Sequence, residues 1–237
     1  MTIDLNADVG EGEGEEVLYG LVTSVNVACG GHAGDQDSMA RAVRLAARHG
    51  VSVGAHPGYP DRAHFGRRSL TVPAAALASL VTDQIEALAR ICRGESLRLA
   101  HVKPHGALYH DASRHEDVAL AIADAAARID PDLVLVGLAG SPALVTWKGR
   151  GLHTAAEGFA DRAYEADGTL RSREEAGALL LDPSLAAAQA VRLARSRRVA
   201  TLCVHGDTPG ATAILTRVRR ALEDAGIHVA APRHPTR

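Results

Sequence analysis

Short β-rich runs alternate with Ala/Leu-rich stretches along the whole chain. Seven runs have strand character, near residues 2–8, 24–29, 51–56, 98–104, 133–138, 152–157 and 199–205. A terminal run, Ile227–Ala230, predicts either an eighth short strand or a packed tail. Between the strands, apolar positions fall on single helical faces. Met39, Ala42, Val43, Ala46 and Ala47 form one stripe within Asp37–His49, and Gly50 supplies the stop. Leu77, Leu80, Val81, Ile85 and Leu88 form the next, with Pro73 in its first turn. Val118, Ala121, Ile122, Ala125 and Ile129 make a third, and Ile214, Val218, Ala221, Leu222 and Ala225 the last before Gly226. Pro142, Pro183 and Pro209 each follow Ser, Asp or Thr, which predicts an N-cap and then the first helical position. Strands alternating with one-faced helices imply a parallel sheet covered by helices. Seven such units favour closure, so the expected architecture is α/β: a seven-stranded parallel β/α barrel forming a single domain over residues 1–237. No GxGxxG opens the first helix, which weighs against a dinucleotide fold.

The polar positions give the barrel a direction. Residues two apart on a strand share a face. Asp4, Asn6 and Asp8 therefore share one in the first run, His101, Lys103 and His105 in the fourth, and His205 and Asp207 in the seventh. His32 and His56 follow the second and third strands, and Glu157 ends the sixth. The C-terminal ends of barrel strands are where loops assemble an active site. One histidine at a strand end is more often a hydrogen-bonded scaffold residue than a catalyst. Many ionisable groups converging are another matter, because a core buries them only if they pair, bind metal or face a wet pocket.

Composition narrows the partners. With 46% hydrophobic and 23% charged residues the chain has ordinary globular composition. A net charge of −2 argues against nucleic acid, and the basic run Arg195–Arg198 reads as a solvated helix end. No apolar stretch approaches the roughly 20 residues of a membrane span. The first ten residues lack the basic and apolar regions of a signal peptide. Cys29, Cys92 and Cys203, far apart and odd in number, fit free thiols in a reducing cytosol, so a cytoplasmic protein is expected. Aromatic residues are only 3%, yet Tyr59, Phe65, Tyr109, Phe159 and Tyr164 lie in or beside the polar loops, leaving Val, Leu, Ile and Ala to build the barrel core. Trp147 reads as a packing residue within a helix.

Six segments recur as motifs: Ile3–Glu11, Asn26–Asp35, Gly54–Asp61, His101–Tyr109, Phe159–Tyr164 and Cys203–Gly210. Taken together and in order, they resemble the LamB/YcsF family from the first strand to the last helix. The resemblance implies a barrel of the glycoside hydrolase/deacetylase type. It also implies ATP-dependent hydrolysis of 5-oxo-L-proline to L-glutamate, carried out with the B and C subunits of a 5-oxoprolinase. The stretches from Glu13 to Ser24 and from Arg197 to the last strand look shorter than is usual in that family.

That chemistry assigns candidate roles. A lactam is a poor electrophile, and phosphorylating its amide oxygen activates the carbonyl carbon toward water. Cations are needed for phosphate and substrate carboxylate, a base for water, and donors for the developing oxyanion. Lys103, Arg67 and Arg162 are the candidate cations. Asp8, Glu157 and Asp207 are candidate bases, or ligands for the magnesium of ATP. His32, His56, His105 and His205 can move protons near neutral pH. Asn6 would hold the substrate amide, and Tyr59 or Tyr109 would close over the ring. The expected catalytic set is Asp8, His32, His56, Lys103, His105 and His205; the other named residues are expected to bind substrate. GxxxxGK[ST] is absent, so no P-loop cradles ATP. A divalent metal on Asp8, His32 and His56 stays open, since no local spacing such as HExxH specifies one. Two other functions fit the same residues: a metal-dependent amidohydrolase or deacetylase, and a non-catalytic component that binds substrate while its partners do the chemistry. A glycosidase fits less well, because extended sugar sites are rich in aromatic platforms and Trp147 is the one tryptophan.

Overall fold

A computed structural model describes residues 1–231; the last six positions of the expected 1–237 domain lie outside the described residues. Seven parallel strands are β1 (Thr2–Val9), β2 (Ser24–Ala28), β3 (Ser52–His56), β4 (Leu99–Val102), β5 (Val134–Leu138), β6 (His153–Phe159) and β7 (Thr201–Cys203). They pair in sequence order from β2 to β7, and β1 then pairs with both β7 and β2. The double pairing of β1 closes the barrel and removes the sheet edges. The Ile227–Ala230 run does form a strand, β8 (His228–Val229), parallel to the start of β1 at Thr2 and Ile3.

The helices lie where apolar periodicity puts them. They are α1 (Gln36–His49), α2 (Ala74–Gly94), α3 (Gly106–Arg114), α4 (Glu116–Ile129), α5 (Pro142–Gly149), α6 (Pro183–Arg195) and α7 (Ala211–Asp224). α1 starts on a capping box between Asp35 and Ser38 and ends at Gly50, whose φ of 66° only glycine adopts freely. Pro142 and Pro183 open α5 and α6 as expected. Pro209 does not open α7, whose N-cap is Gly210. Thr208, the expected cap, instead donates its hydroxyl to Asp161 at 2.6 Å. α3, within a segment read from sequence only as strand and loop, is an additional helix.

The outward faces of the strands (Leu5, Ala7, Val25, Val27 and Val53 among them) pack against buried helix residues such as Met39, Val43, Leu77, Val81 and Ile85. The expected aliphatic core thus lies between sheet and helices, while the barrel lumen is polar. Asp4 accepts hydroxyl hydrogen bonds from Thr23 (2.7 Å), Ser24 (2.8 Å) and Thr201 (2.6 Å). Above it Asn26 donates to Asn6 Oδ1 at 2.8 Å, and Asn6 donates to Thr201 at 2.6 Å. This buried polar ladder is paired rung by rung, which is how a lumen holds such groups without a large desolvation cost. Trp147 packs fully buried in α5, its indole N–H donating to the Ala119 carbonyl at 2.9 Å. All three cysteines are free and buried. No helix among the described residues is long and apolar enough to cross a membrane.

Candidate active site at the C-terminal mouth of the barrel

The top rung of the ladder opens into a cavity of about 960 Å³ at the C-terminal ends of the strands. Its floor holds Lys103, just past β4. The Lys103 ammonium lies 2.8 Å from Asp8 Oδ1 and 3.0 Å from Glu157 Oε1, and 3.1 Å from Cys203 Sγ. Lys103 is 2% exposed, so its charge survives only because both carboxylates face it. Burial works against the ammonium, but Asp8 and Glu157 outweigh it and hold the lysine pKa well above its ordinary value. Burial would also raise the pKa of Asp8; the cations around it, Lys103 first, hold it well below the usual carboxylate range. In Glu157 burial wins and the pKa rises, although Lys103 opposes it. Tyr109 donates its hydroxyl to Glu157 Oε2 at 2.9 Å. Burial and that carboxylate together keep the phenol protonated.

Beside this pair stands a histidine cluster built by three loops. His56 ends β3 and His105 precedes α3. His32 sits in the loop after β2, stacked on His105 with ring centroids 3.5 Å apart. Gly66 lies against both rings. A Cβ there would come within 2.7 Å of His32 Cβ, and the residue's φ of +63° favours glycine in any case. Gln84 fixes the neighbouring loop from α2, accepting from the Gly58 N–H at 3.1 Å and donating to its carbonyl at 2.9 Å. Burial depresses the pKa of His56 to about 3 and lowers that of His32, so both rings are neutral at pH 7.

Glu11 completes the cluster. Its Oε1 lies 2.8 Å from His32 Nε2, 3.3 Å from His105 Nδ1 and 3.7 Å from His56 Nε2. Although burial disfavours the ionised form, the imidazoles of His105 and His32 beside it keep the carboxyl pKa below its ordinary value. Sequence reasoning gave Glu11 no role, although it stands in the first motif. The available signal was an acidic residue just past a strand end, carried back over the mouth by Gly10 at φ 75°.

Most of the expected site residues meet here. Asp8, His56, Lys103, His105, Tyr109, Arg67, Arg162, His205 and Asp207 all line the cavity. Arg67 pairs with Asp207, which Arg173 also reaches at 3.1 Å, and Arg67 lies over the Phe65 ring. His205 stacks on Phe159 and shares Asp161 with Thr208. Arg162 is buried, with hydrogen bonds only to the carbonyls of Ala178 and Arg171; among the described residues no carboxylate pairs with it. Burial, with Arg173 nearby, lowers its pKa to about 10, still cationic at neutral pH. His32 and Glu157 stand directly behind the lining. Two further expected residues do not line the cavity and lie farther from it. Asn6 lies one rung lower, lining a small void inside the barrel, and Tyr59 points away and donates to Asp111 at 2.9 Å. Glu11 and Asp161 are the site carboxylates that sequence reasoning missed.

Which residues could hold a metal also differs from the sequence expectation. Glu11, His32, His56 and His105 offer ligand atoms that all lie within 4.8 Å of one another, and Asp8, Cys203 and His205 form a second such group in which Asp8 Oδ1 is already bound by Lys103 and Asn26.

Fold and site together define a closed, parallel β/α-barrel protein whose polar site lies at the C-terminal mouth. The LamB/YcsF family profile matches residues 3–237, and the chain belongs to that family. It is 46% identical to the A subunit of 5-oxoprolinase from Chloroflexus aurantiacus, over 98% of this chain and 99% of that protein. It is 48% identical to the corresponding 5-oxoprolinase subunit of Methylococcus capsulatus, over 97% and 95%. A solved structure of a lactam utilization protein from Thermus thermophilus is 41% identical and superposes with a TM-score of 0.92, covering 98% of this chain and 100% of that one. The catalytic domain of a peptidoglycan N-acetylglucosamine deacetylase from Eubacterium rectale superposes with a TM-score of 0.56 at 10% identity, over 100% and 90%, a likeness of fold alone.

Proposed function

We propose that this chain is the A component of an ATP-dependent 5-oxoprolinase, opening 5-oxo-L-proline to L-glutamate together with B and C partner subunits. The observation that carries this reading is Arg162. A buried guanidinium that ion-pairs with no carboxylate among the described residues, with Asp161 only nearby, and facing a cavity, calls for an anion from outside the chain. The carboxylate of 5-oxoproline meets that need.

The chemistry follows from the lactam. Transfer of the γ-phosphoryl group of ATP to the amide oxygen releases ADP and leaves C5 electrophilic. Water adds at C5, and the C–N bond breaks with the ring nitrogen leaving as a protonated amine. A second water releases phosphate from the resulting acyl phosphate, so one ATP and two waters give glutamate, ADP and phosphate. Lys103 faces the oxygen that gathers negative charge, where a preorganised cation acts most strongly. Asp8, ionised and beside His56, takes the proton from attacking water. Tyr109, its hydroxyl donated to Glu157, lines the cavity beside the place of the departing nitrogen. His205 and the Arg67–Asp207 pair border the part of the cavity where phosphate and its magnesium would sit. The partners supply what this chain lacks for nucleotide binding.

The test is glutamate release from 5-oxo-L-proline, with and without ATP and the partner subunits. Release that needs both is the expected result. Release by the isolated chain without ATP would overturn the reading in favour of a simple hydrolase. No release in any combination would overturn 5-oxo-L-proline as the substrate.

A further inference from the structure

We propose that Glu11, His32, His56 and His105 form a binding site for one divalent transition metal ion of the zinc class.

The argument begins with where the imidazole protons must be. His56 Nδ1 lies 2.7 Å from the Lys103 carbonyl oxygen, and His105 Nε2 lies 2.9 Å from the Phe65 carbonyl oxygen. A carbonyl only accepts, so each of these nitrogens carries the hydrogen. In neutral rings the other nitrogens are then bare. Those two atoms, His56 Nε2 and His105 Nδ1, face each other at 3.0 Å. Two lone pairs at that distance repel unless something positive lies between them. Glu11 Oε1 adds a third electron-rich atom, 3.3 Å from His105 Nδ1 and 3.7 Å from His56 Nε2. His32 brings a fourth candidate ligand atom, its Nε2 lying 2.8 Å from the same oxygen.

A proton can relieve one pair of these atoms; a metal ion relieves all four. Metal–nitrogen and metal–oxygen bonds of about 2.0–2.1 Å around a tetrahedral ion place ligand atoms roughly 3.3 Å apart. Four of the six separations among these atoms, from 2.8 to 3.7 Å, straddle that spacing, and all six are within 4.8 Å. Three imidazoles and one carboxylate are ligands suited to zinc, cobalt or nickel rather than magnesium or calcium, which prefer oxygen. The backbone carbonyls behind His56 and His105 are the outer-sphere acceptors that metal-bound histidines commonly use. His32 has a different signature. The ring is buried, and its Nδ1 has no hydrogen-bond partner. Seating an ion requires the stacked His32 and His105 rings to tilt slightly apart.

Three ligand residues, Glu11, His56 and His105, line the large cavity, so one side of the ion would face whatever binds there. When bound, the ion would supply a Lewis acid at the edge of the site. The Asp8–Lys103 pair borders this ligand set, with Asp8 Oδ2 3.5 Å from His56 Nε2.

The test uses the full-length chain alone, stripped with a chelator and titrated with Co²⁺ and then Zn²⁺. The expected result is one equivalent of cobalt with the strong visible bands of a four- or five-coordinate ion, displaced by zinc. Glu11→Gln and His105→Ala should each weaken cobalt binding by at least about 100-fold, the upper end of what losing an outer-sphere partner costs. His110→Gln, in the same cavity but outside the cluster, should leave it unchanged. X-ray absorption of zinc-loaded wild type should show several imidazole ligands, a readout that needs no variant to fold. Stoichiometric binding absent from the wild type, cobalt spectra of a six-coordinate surface ion, or equal binding by Glu11→Gln and His105→Ala would each overturn the site. None of these outcomes bears on glutamate release, so the 5-oxoproline reading stands or falls separately.

Discussion

Lys103 Nζ and Asp8 Oδ1 are 2.8 Å apart at the floor of the cavity, both side chains almost wholly buried, with Glu157 Oε1 3.0 Å away on the lysine's other side. The arrangement couples stability to function, because the same cation neutralises the lumen and faces the proposed substrate. Lys103→Met would leave two buried carboxylates without a counter-charge. The expected loss is about 3–5 kcal/mol, the cost of breaking a buried pair from one side. Urea denaturation measures it. Adding Asp8→Asn and Glu157→Gln to that variant should restore part of the loss; a further drop instead would mean that packing, not charge, dominates.

Asp161 gives the pH dependence a sign. It is fully buried, and burial alone would raise its pKa. His205, through its ring and backbone N–H, and the Thr208 hydroxyl outweigh that, and the pKa falls below the ordinary 3.8. A carboxylate whose folded pKa is depressed adds stability above its unfolded pKa and loses it as the pH drops through the folded value. Asp161→Asn should therefore cost about 1–3 kcal/mol near neutral pH. The gap to wild type should narrow below pH 3.8. Denaturation midpoints at several pH values check this, and a gap independent of pH would contradict it.

Gly66 is expected to tolerate no side chain. Gly66→Ala would strain a backbone at φ +63° and push its Cβ against His32. Overpacking of this kind costs about 1–3 kcal/mol. Thermal unfolding reads the loss, and the ring resonances of His32 and His105 should shift while those of the distant His153 do not.

Arg162 is expected to act on binding more than on turnover. In the reconstituted complex, Arg162→Gln should raise KM for 5-oxo-L-proline by roughly 10-fold or more, as loss of one charged hydrogen bond of about 1.5–3 kcal/mol requires. A fall in kcat at unchanged KM would place the substrate carboxylate elsewhere.

The barrel was legible in the sequence because period-2 and period-3.6 patterns alternate cleanly, with Pro and Gly marking the boundaries. The lumen was legible in part. Shared strand faces place Asp4, Asn6 and Asp8 inward, but periodicity does not give depth, and Asn6 lies a rung below the cavity it was expected to line. Tyr59 shows the same limit for loops, where no period says which way a ring turns; it bonds to Asp111. Glu11 was missed because it stands beyond the strand, past a left-handed glycine, where a return over the mouth depends on backbone geometry. Pro209 misled because a Thr–Pro pair predicts a helix start only if the threonine is free to cap, and Thr208 is held by Asp161.

The most direct test of the proposed site is the rate of glutamate release by the reconstituted complex carrying Asp8→Asn. This substitution keeps the size of the side chain and removes its charge beside Lys103 and His56. With ATP and partners present, the rate is expected to fall by about 100-fold or more, as loss of a positioned general base does. Wild-type turnover in a folded Asp8→Asn complex would contradict the assignment of the chemistry to this end of the barrel.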